Sequence, residues 1–326
     1  MTALDWQQAT AWVSGATGAW GQEFCQQLLL HPIEKLILFA RGEHRAADLA
    51  ARLDDDRVRV HLGDVRDRAR LQTSLAGVTL VIHLAALKRV EAAASSPFEA
   101  ASVNIDGTRA VIETILALPA HLRPARCFYL SSDKACEPTT FYGATKFVAE
   151  QLWLGANVYS PRPEPPWFVA ARAGNALFST GSVLEIWSRQ RARGEALTIT
   201  DPTMTRFVTR LYPAVLSMLL WLQEVPGGTL GHPGDLYLQQ TPAATLGELA
   251  EAFAPGYPTV ITGRRSPGEK QHEKMFVDGP SSFECQQESN PKILKEVLRL
   301  AGVRTHVHVV DRQPLSEKAD LEEEDT

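Results

Sequence analysis

Tyr142 and Lys146 are four residues apart, so on a helix both side chains lie on one face. A lysine ammonium beside a phenol lowers the phenol pKa, which makes Tyr142 a base able to accept a hydroxyl proton. A Tyr-x-x-x-Lys pair alone is weak evidence, because the chain has 6 tyrosines. Its position adds weight, since Ser131 and Ser132 end the predicted strand before this helix. Ser132 can hydrogen-bond the hydroxyl that Tyr142 deprotonates, so the pattern indicates a base acting on a substrate alcohol.

A glycine-rich segment near the N-terminus is suited to a dinucleotide. Gly15, Gly18 and Gly21 form the pattern G-x-x-G-x-x-G, directly after the first predicted strand and at the start of the first predicted helix. Small residues there permit a tight turn and a close approach of the backbone to a pyrophosphate, and the helix N-terminus favours the anion. The strand–turn–helix context favours a bound dinucleotide over a glycine turn without a ligand.

The end of the second predicted strand bears on which cofactor is preferred. Arg41 stands where an NAD-preferring site usually carries Asp or Glu, and arginine suits a 2′-phosphate. Arg45 lies one turn further along and can assist, and Asp64, after the third predicted strand, can accept from the adenine amino group. A plain surface role is the alternative for each. We therefore expect NADP(H), with NAD as the open alternative.

The first half of the chain alternates short apolar runs with helical patterns. Strands are predicted at 11–14, 35–40, 58–62, 80–84, 127–131 and 167–171, and helices at 21–30, 97–118 and 141–155. This rhythm predicts an α/β fold, a Rossmann-type doubly wound parallel sheet with helices on both faces. After about residue 174 the chain becomes rich in Gly and Pro, which indicates a smaller C-terminal substrate-binding domain. We expect an NADP-binding domain at 1–174, a mainly substrate-binding domain at 175–310 whose segment 205–226 packs back on the first, and an acidic tail at 311–326.

Composition excludes several classes of protein. A net charge of -5 argues against non-specific nucleic-acid binding. The 4 cysteines show no C-x-x-C pair and no metal-ligand spacing, which indicates free thiols in a reducing compartment and no metal site. The N-terminus lacks the pattern of a signal peptide, and the apolar stretch 211–225 is shorter than the about 20 residues of a membrane span, so we expect a buried helix there. These features predict a cytoplasmic protein without a nucleic-acid or membrane partner.

Several blocks together resemble a known superfamily. The glycine loop, LGDVRD, HLAALKRV, NIDGT and YGATK are similar to the extended short-chain dehydrogenase/reductases. Within that superfamily, SSDKACEPTTFYGATK, RAGN, GSV, MTRF and PGEKQHE resemble the UDP-N-acetylglucosamine 4,6-dehydratases of bacterial polysaccharide and nonulosonic-acid biosynthesis. The resemblance runs from about residue 10 to about residue 278. Asp133 and Lys134 ahead of YGATK are its most diagnostic part, because they separate this group from simple epimerases.

The resemblance implies a catalytic set of Ser132, Asp133, Lys134, Tyr142 and Lys146. An enzyme of this kind moves the C4 hydride to NADP+, removes water across C5 and C6, and returns the hydride to C6. Lys134 would be the base at C5, which requires a neutral amine, and we expect burial and the Lys146 charge to lower its pKa. Asp133 would be the acid at C6, which requires a raised pKa.

The resemblance also implies contacts to cofactor and substrate. Cofactor contacts are expected at Gly15, Thr17, Gly18, Ala19, Trp20, Gly21, Arg41, Arg45, Asp64, Val65, Ala85, Ala86, Lys88, Asn104, Tyr142 and Lys146. Substrate contacts are expected at Lys88, Asn175, Ser182, Val183, Thr200, Arg206, Arg265 and Glu269. A nucleotide sugar brings two phosphates, which call for cations and amide donors. An ordinary ion pair is the alternative for each charged residue in this set.

Departures from the family pattern surround the expected sugar and phosphate pocket. Where the family commonly has Tyr, Arg, Pro and Glu, this chain has Ala173, Thr180, Glu91 and Ala94. Ser266 is an insertion in the RPGEK block, so Arg264 and Arg265 are both candidates for its arginine. These changes leave the reaction type in place and the identity of the substrate open.

Three functions follow from these observations. The first is an NADP-dependent UDP-N-acetylhexosamine 4,6-dehydratase. The second is a C4 or C5 epimerase, which needs Tyr142 and Lys146 but not Asp133 or Lys134, or a dehydratase acting on another nucleotide sugar. The third is a non-catalytic NADP-binding or assembly protein. By analogy with the superfamily, helices 97–118 and 141–155 form dimer faces, so a homo-oligomer is expected.

Overall fold

The computed structural model describes residues 4–160, 165–224, 236–239 and 241–287. Within these ranges, no helix is long and apolar enough to cross a membrane. The predicted tail 311–326 and the last part of the predicted second domain lie outside the described residues.

Strands of the described residues form three sheets. They are β1 (Thr10–Ser14), β2 (Lys35–Ala40), β3 (Val58–Leu62), β4 (Leu80–His83), β5 (Arg126–Ser132), β6 (Trp167–Ala173), β7 (Asn175–Ala176), β8 (Leu197–Ile199), β9 (Thr205–Thr209), β10 (Leu236–Leu238), β11 (Ala243–Thr245) and β12 (Thr259–Ile261). The central 7-stranded sheet has the order β10-β6-β5-β4-β1-β2-β3, and all its neighbouring strands are parallel. Strands β11, β9 and β7 form a second sheet, and β12 and β8 form a third.

Helices cover both faces of the central sheet. They are α1 (Ala19–Leu28), α2 (Glu43–Leu53), α3 (Arg68–Leu75), α4 (Val90–Ser95), α5 (Pro97–Ala101), α6 (Gly107–Ala117), α7 (Phe141–Gly155), α8 (Val183–Ala192), α9 (Leu211–Glu224), α10 (Leu246–Phe253) and α11 (Ser282–Gln287). A parallel sheet with helices on both faces confirms the predicted Rossmann-type fold.

The predicted strands agree with the observed ones to within 2 residues at each end. Buried parallel strands read as short continuous apolar runs, which is why they could be located. The predicted helix 21–30 is shifted, since α1 begins at Ala19 and ends at Leu28. The strand order reverses between β1 and β4, and ligands of such sheets bind at the carboxyl ends of the strands beside the reversal.

The predicted helix 97–118 contains an irregular turn. Between α5 and α6 lies a π-helical turn, Ser102–Asp106, which the sequence did not indicate. Within it, Asn104 accepts from the Leu87 N–H at 2.7 Å and donates to the Thr145 hydroxyl at 2.9 Å. The turn therefore joins the loop after β4 to α7, and π-helical turns frequently occur at functional sites.

Helix α9 packs against α1 on one face of the central sheet. Val215 and Met218 share an apolar core with Phe24 of α1. On the other side of α9, Leu216 and Leu220 are exposed. The expectation of a buried helix at 211–225 therefore holds for one face only, and residue 225 lies outside the described residues.

A further apolar core lies among α8, α10 and the smaller sheets. Trp187, Leu197 and Met204 are buried in it. Strand β7 follows β6 almost directly and begins with Asn175, and its neighbour β9 carries Arg206. This part of the chain thereby brings polar side chains to the carboxyl end of the central sheet.

Candidate active site

The glycine loop between β1 and α1 is too tight for larger residues. Gly15 has a φ of +67°, and a Cβ there would lie 2.9 Å from the Ala85 nitrogen. A Cβ on Gly21 would overlap the Gly15 carbonyl oxygen. Gly18 is the N-cap of α1, and it has no side chain to bond the first amides of that helix. Those amides, at the positive end of the helix dipole, fit a dinucleotide pyrophosphate.

The other predicted cofactor residues follow neighbouring strands. Thr17, Ala19 and Trp20 belong to the glycine loop and the start of α1. Ala85 and Ala86 follow β4, and the Ala85 N–H donates to the Ser14 hydroxyl at 3.2 Å. Val65 follows β3, and a Cβ on Gly107 would lie 2.7 Å from its Cγ2. These residues therefore all follow the carboxyl ends of β1, β3 and β4.

Arg41 directly follows β2, and its side chain is 64% exposed. Its Nη1 lies 3.7 Å from Asp64 Oδ2 and 4.0 Å from Glu99 Oε1. Arg66, which the sequence analysis did not single out, binds the same carboxylates at 2.8 Å and 3.0 Å. Its hydrogen bond also lowers the Asp64 pKa below the usual value. Arg41 is thus loosely paired and accessible, whereas Asp64 is an ionised acceptor already shared with Arg66.

Arg45, on α2, borders an open cleft of about 680 Å³ beside the glycine loop. Thr17, Arg52 and Thr180 also line this cleft. Thr17 belongs to the glycine loop, and Thr180 lies between β7 and α8. The cleft therefore places Arg45 and Arg52 close to Thr180, which belongs to the predicted substrate-binding domain.

Lys146 lies on α7 and is directed at the backbone of β5. Its Nζ donates to the Leu130 carbonyl at 2.7 Å and lies 4.0 Å from the centre of the Tyr129 ring. Burial lowers the pKa of Lys146 to about 7, against an opposing effect of Glu150. A proton on Lys146 is therefore readily lost near neutral pH.

Tyr142 is buried one turn earlier on α7. Burial raises its pKa to about 12, whereas the Lys134 charge and the Ser132 hydroxyl favour the phenolate. The expectation that Lys146 lowers the Tyr142 pKa is wrong for this arrangement, because the Lys146 Nζ bonds the β5 backbone. The cation that acts on Tyr142 is Lys134.

Among the described residues, three side-chain oxygens lie close to the Lys134 Nζ. It lies 3.2 Å from Asp133 Oδ1, 3.2 Å from Asn175 Oδ1 and 3.6 Å from Glu273 Oε1. Burial disfavours the ammonium, but the carboxylates of Asp133 and Glu273 together outweigh it, so the Lys134 pKa is raised. The expectation of a lowered pKa is wrong, because it left out Glu273 and relied on the charge of Lys146.

Asp133 is 1% exposed, in a 3-10 turn directly after β5. Burial raises its pKa and Glu273 adds to this effect, against the opposing effects of Lys134 and Ser132. Oδ1 accepts from the Ser132 hydroxyl at 2.9 Å, and Oδ2 has no hydrogen-bond partner among the described residues. The predicted direction of the Asp133 pKa is confirmed, and its catalytic role stays a prediction.

Glu273 is the third side chain beside Lys134, after Asp133 and Asn175, and it was not among the predicted site residues. It is 2% exposed, and its Oε2 lies 3.3 Å from the Lys270 Nζ. Burial raises the Glu273 pKa, but the charges of Lys134, Arg206 and Lys270 outweigh burial and lower it. The signal was present, because Glu273 ends the PGEKQHE block that carries part of the resemblance.

Glu150 was also missed, although it lies four residues beyond Lys146 on α7. It is fully buried and accepts from Arg172 Nε at 2.9 Å and Nη2 at 2.6 Å. Arg172 also donates to the Met275 carbonyl at 2.7 Å. The spacing of 142, 146 and 150 along one helix face could have indicated Glu150.

Two of the predicted substrate residues lie next to Lys134. Asn175 accepts a hydrogen bond from it, and the Arg206 charge opposes its protonation. Arg206 is buried, and its Nη2 donates to Glu269 Oε1 at 2.7 Å. Glu269, expected at the nucleotide ribose, is therefore ion-paired with Arg206 in this structure.

Four other predicted substrate residues lie at the start of α8 and just after β4 and β8. Ser182 is the N-cap of α8, where its hydroxyl accepts from the Glu185 N–H at 3.3 Å, and Val183 follows it. Lys88 follows β4, and burial lowers its pKa while Glu185 opposes this. Thr200 follows β8, and its carbonyl accepts from the Gly263 N–H at 3.0 Å.

The two candidate arginines of the PGEK block lie away from Lys134. Arg265 forms an ion pair with Asp201, and Arg264 is exposed. Neither is among the charges that act on Lys134. The structure therefore brings Arg206, rather than these arginines, close to Lys134.

The predicted dimer faces expose apolar side chains. Phe98 on α5 is 90% exposed, and Phe147 and Leu152 on α7 are 39% and 37% exposed. Large exposed apolar residues are typical of association surfaces. The homo-oligomer stays a prediction.

Comparison with known proteins places this site in a family. The polysaccharide biosynthesis protein family matches residues 11–295. The UDP-N-acetylglucosamine 4,6-dehydratase (inverting) of Campylobacter jejuni is 32% identical over 271 residues, which are 82% of this chain and 78% of that protein. A UDP-glucose 4-epimerase of Rickettsia conorii is 30% identical over 274 residues, 82% and 77% of the two chains.

A solved structure extends the similarity to three dimensions. The X-ray structure of Pen from Bacillus thuringiensis superimposes with a TM-score of 0.75 at 27% identity, covering 84% of this chain and 83% of Pen. The sequence resemblance is thereby confirmed. The chain belongs to the polysaccharide biosynthesis protein family, and its fold is that of the extended short-chain dehydrogenase/reductases.

Proposed function

We propose that this chain is an NADP-dependent UDP-N-acetylhexosamine 4,6-dehydratase. The supporting observation is the pair of the buried Asp133 and Lys134, 3.2 Å apart, whose charges act on Tyr142. An epimerase needs a base for a hydroxyl proton, but elimination also needs an acid and a base at neighbouring carbons. The name of the Campylobacter jejuni relative, a UDP-N-acetylglucosamine 4,6-dehydratase, supports the same reaction.

The first part of the proposed reaction oxidises the sugar at C4. Ser132 orients the C4 hydroxyl, and Tyr142 takes its proton. A nicotinamide dinucleotide bound to the glycine loop supplies the hydride acceptor. Because burial keeps Tyr142 a phenol in the free chain, the Lys134 charge has to help it to become a phenolate.

The second part eliminates water. The C4 ketone acidifies the C5 proton. A proton moves from the Lys134 Nζ to Asp133 Oδ1, which converts the resting ion pair into a neutral amine and a carboxylic acid. Lys134 then takes the C5 proton, the electron pair of that bond forms the C5–C6 double bond, and the C6 hydroxyl leaves with the Asp133 proton as water. The hydride that the bound dinucleotide would hold then returns to C6 while Lys134 gives a proton back to C5, so the sugar has lost one water with no net oxidation.

The preference for NADP rests on Arg41. Its guanidinium is exposed at the end of β2, and it is held only by ion pairs of 3.7 Å and 4.0 Å. Such a loosely held guanidinium can turn to bind a 2′-phosphate by parallel hydrogen bonds. Arg45 and Arg52 add positive charge beside the glycine loop.

The preference for a nucleotide sugar rests on the cations near the Asp133–Lys134 pair. Arg206 and Lys88 are suited to the diphosphate, and Asn175 lies beside the sugar position through its contact with Lys134. Glu269 is suited to the ribose hydroxyls once Arg206 turns to the diphosphate. Ala173, one of the altered positions, ends β6 two residues before Asn175 and would adjust the fit to the hexosamine.

Incubation with a panel of UDP-, GDP-, dTDP- and CMP-sugars tests the proposal. We expect mass spectrometry to detect loss of water from UDP-N-acetylglucosamine or a UDP-N-acetylhexosamine close to it. Proton NMR of the product in D2O then gives the configuration at C5. Absence of water loss from every UDP-N-acetylhexosamine, with NADP+ present and the protein folded, would contradict the proposal.

A C4 epimerase is the second candidate, which the similarity to a UDP-glucose 4-epimerase favours. Both reactions use Tyr142, but only elimination uses Lys134. In a dehydratase, Lys134→Ala lowers the rate of water loss by roughly 10²- to 10⁴-fold. In an epimerase, the same variant still exchanges the C4 configuration, which NMR of the recovered sugar distinguishes.

A further inference from the structure

Glu273 is a buried carboxylate that the reaction described above does not use. Its N–H donates to the Ser282 hydroxyl at 2.8 Å, and its carbonyl accepts from the Ser282 N–H at 2.7 Å. Ser282 is itself buried, with its hydroxyl 2.7 Å from the Thr205 hydroxyl of β9. Contacts from α11 and β9 therefore fix the backbone of Glu273 and direct its carboxylate at Lys134.

The charges around Glu273 come from several elements. Lys134, after β5, and Lys270, in the same segment, lie 3.6 Å and 3.3 Å from its two carboxylate oxygens. Arg206 of β9 adds a third cation, and Asp133 a second carboxylate. Tyr142 of α7 is the further titratable group that faces Lys134. Glu273 is thus the one of these carboxylates that lies outside the proposed acid–base pair.

We propose that Glu273 is a positioning residue that sets the proton content of the Asp133–Lys134 pair, a role that rests on the proposed dehydration. The pair works with one mobile proton, which rests on Nζ and moves to Oδ1 before elimination. A second proton removes the base, and loss of the mobile proton removes the acid. The negative charge of Glu273 stabilises a proton on either member. Both pH limits of elimination therefore lie higher than they would without it.

The Glu273→Gln variant tests this through the pH profile of UDP-N-acetylglucosamine dehydration. We expect both limbs of the kcat profile to move to lower pH, by about one pH unit. KM stays within about twofold of the native value, because the uniform binding of substrate is unchanged. The Glu273→Asp variant keeps the charge one methylene further back, so its limbs lie between those of the native protein and Glu273→Gln.

A matched control comes from the next residue. Lys274 Nζ lies 3.5 Å from Glu137 Oε1 at the surface. In the Lys274→Gln variant, the limbs of the kcat profile stay where the native protein has them. A shift in Lys274→Gln as large as that in Glu273→Gln would overturn the proposal, because any change in this segment would then have the same effect.

A second measurement needs no substrate. The protein is labelled with lysine carrying 13C at Cε, and the Lys134→Arg variant assigns the Lys134 resonance. We expect Lys134 to titrate at lower pH in ligand-free Glu273→Gln than in the native protein. An unchanged titration in a folded variant overturns the inference, and Glu273→Asp replaces the glutamine variant if that variant does not fold. Native protein that dehydrates no nucleotide sugar overturns the proposed function instead.

Discussion

Two lysines lie near the end of β5, and they differ in what surrounds them: Lys146 is buried, and the Lys134 side chain is 17% exposed. Lys146 bonds a backbone carbonyl, and the nearby carboxylate of Glu150 is already paired with Arg172, so burial lowers the Lys146 pKa to about 7. Desolvation opposes the ammonium of Lys134 as well, but this lysine faces Glu273 and a second carboxylate, and its pKa is raised. The comparison shows that carboxylate partners, rather than burial, decide which lysine keeps its proton.

The difference suits two separate tasks. A lysine with a pKa near neutrality changes its charge readily when a ligand binds beside it. A lysine held as an ammonium next to a carboxyl of raised pKa stores the proton that elimination requires. In the proposed reaction, Tyr142 and Lys146 on α7 would then serve the oxidation at C4, and Lys134 at the end of β5 would serve the elimination.

Replacement of Lys134, which holds the proton needed for elimination, should have the largest effect on activity. We expect Lys134→Ala to lower the rate of dehydration by roughly 10²- to 10⁴-fold, because it removes the base and the proton donor of Asp133. Mass spectrometry of UDP-N-acetylglucosamine incubated with the variant measures this loss. Lys274→Ala, which removes a surface lysine, is the control. Dehydration within about tenfold of the native rate would remove Lys134 from the mechanism.

The next variant, Arg172→Leu, removes the ion-pair partner of Glu150 and so frees this carboxylate to interact with Lys146. Arg172→Leu leaves the buried carboxylate of Glu150 unpaired, so we expect a loss of about 3–5 kcal/mol in the free energy of unfolding. Without Arg172, Glu150 acts more strongly on Lys146, whose pKa rises. Urea unfolding measures the stability. Arg193→Leu, which breaks an exposed pair with Glu195, should cost less than about 1 kcal/mol. Equal losses in the two variants would contradict the account.

The lowered pKa of Lys146 also predicts a pH dependence of stability. Between pH 7 and the pKa of an unfolded lysine, about 10.4, the unfolded chain binds a proton at this residue and the folded chain does not. The free energy of unfolding therefore rises with pH in this window, by up to about 1.4 kcal/mol per pH unit from this residue. In Lys146→Met this contribution is absent. Urea unfolding of both proteins at pH 7, 8 and 9 measures it, and parallel curves would contradict the lowered pKa.

Arg41 extends the comparison to an exposed cation, for which a smaller effect is expected. Because Arg41 is only loosely paired, Arg41→Ala should weaken NADP binding by about tenfold, which is about 1.4 kcal/mol. NAD has no 2′-phosphate, so its affinity should change little. Calorimetric titration of the native protein and the variant with each dinucleotide compares the two. An equal loss for both would contradict the assigned phosphate contact.

The fold was predictable because it depends on local patterns. Apolar runs gave the strands, and the glycines at 15, 18 and 21 gave the turn before α1. The charge state of Lys134 was not predictable, because it depends on Glu273, which lies far along the chain. Lys146 shows the same limit, since only the structure reveals that its Nζ turns to β5 rather than to Tyr142. Spacing locates side chains on a face, but their partners come from tertiary contacts.

The central claim is elimination of water by the Asp133–Lys134 pair. It is tested most directly by incubating the native protein with NADP+ and UDP-N-acetylglucosamine in D2O and recording the mass and proton spectrum of the nucleotide sugar. We expect a product that has lost one water and carries solvent deuterium at C5, since Lys134 returns a proton there after exchange. A sugar recovered with unchanged mass and an inverted C4 would contradict it and identify an epimerase.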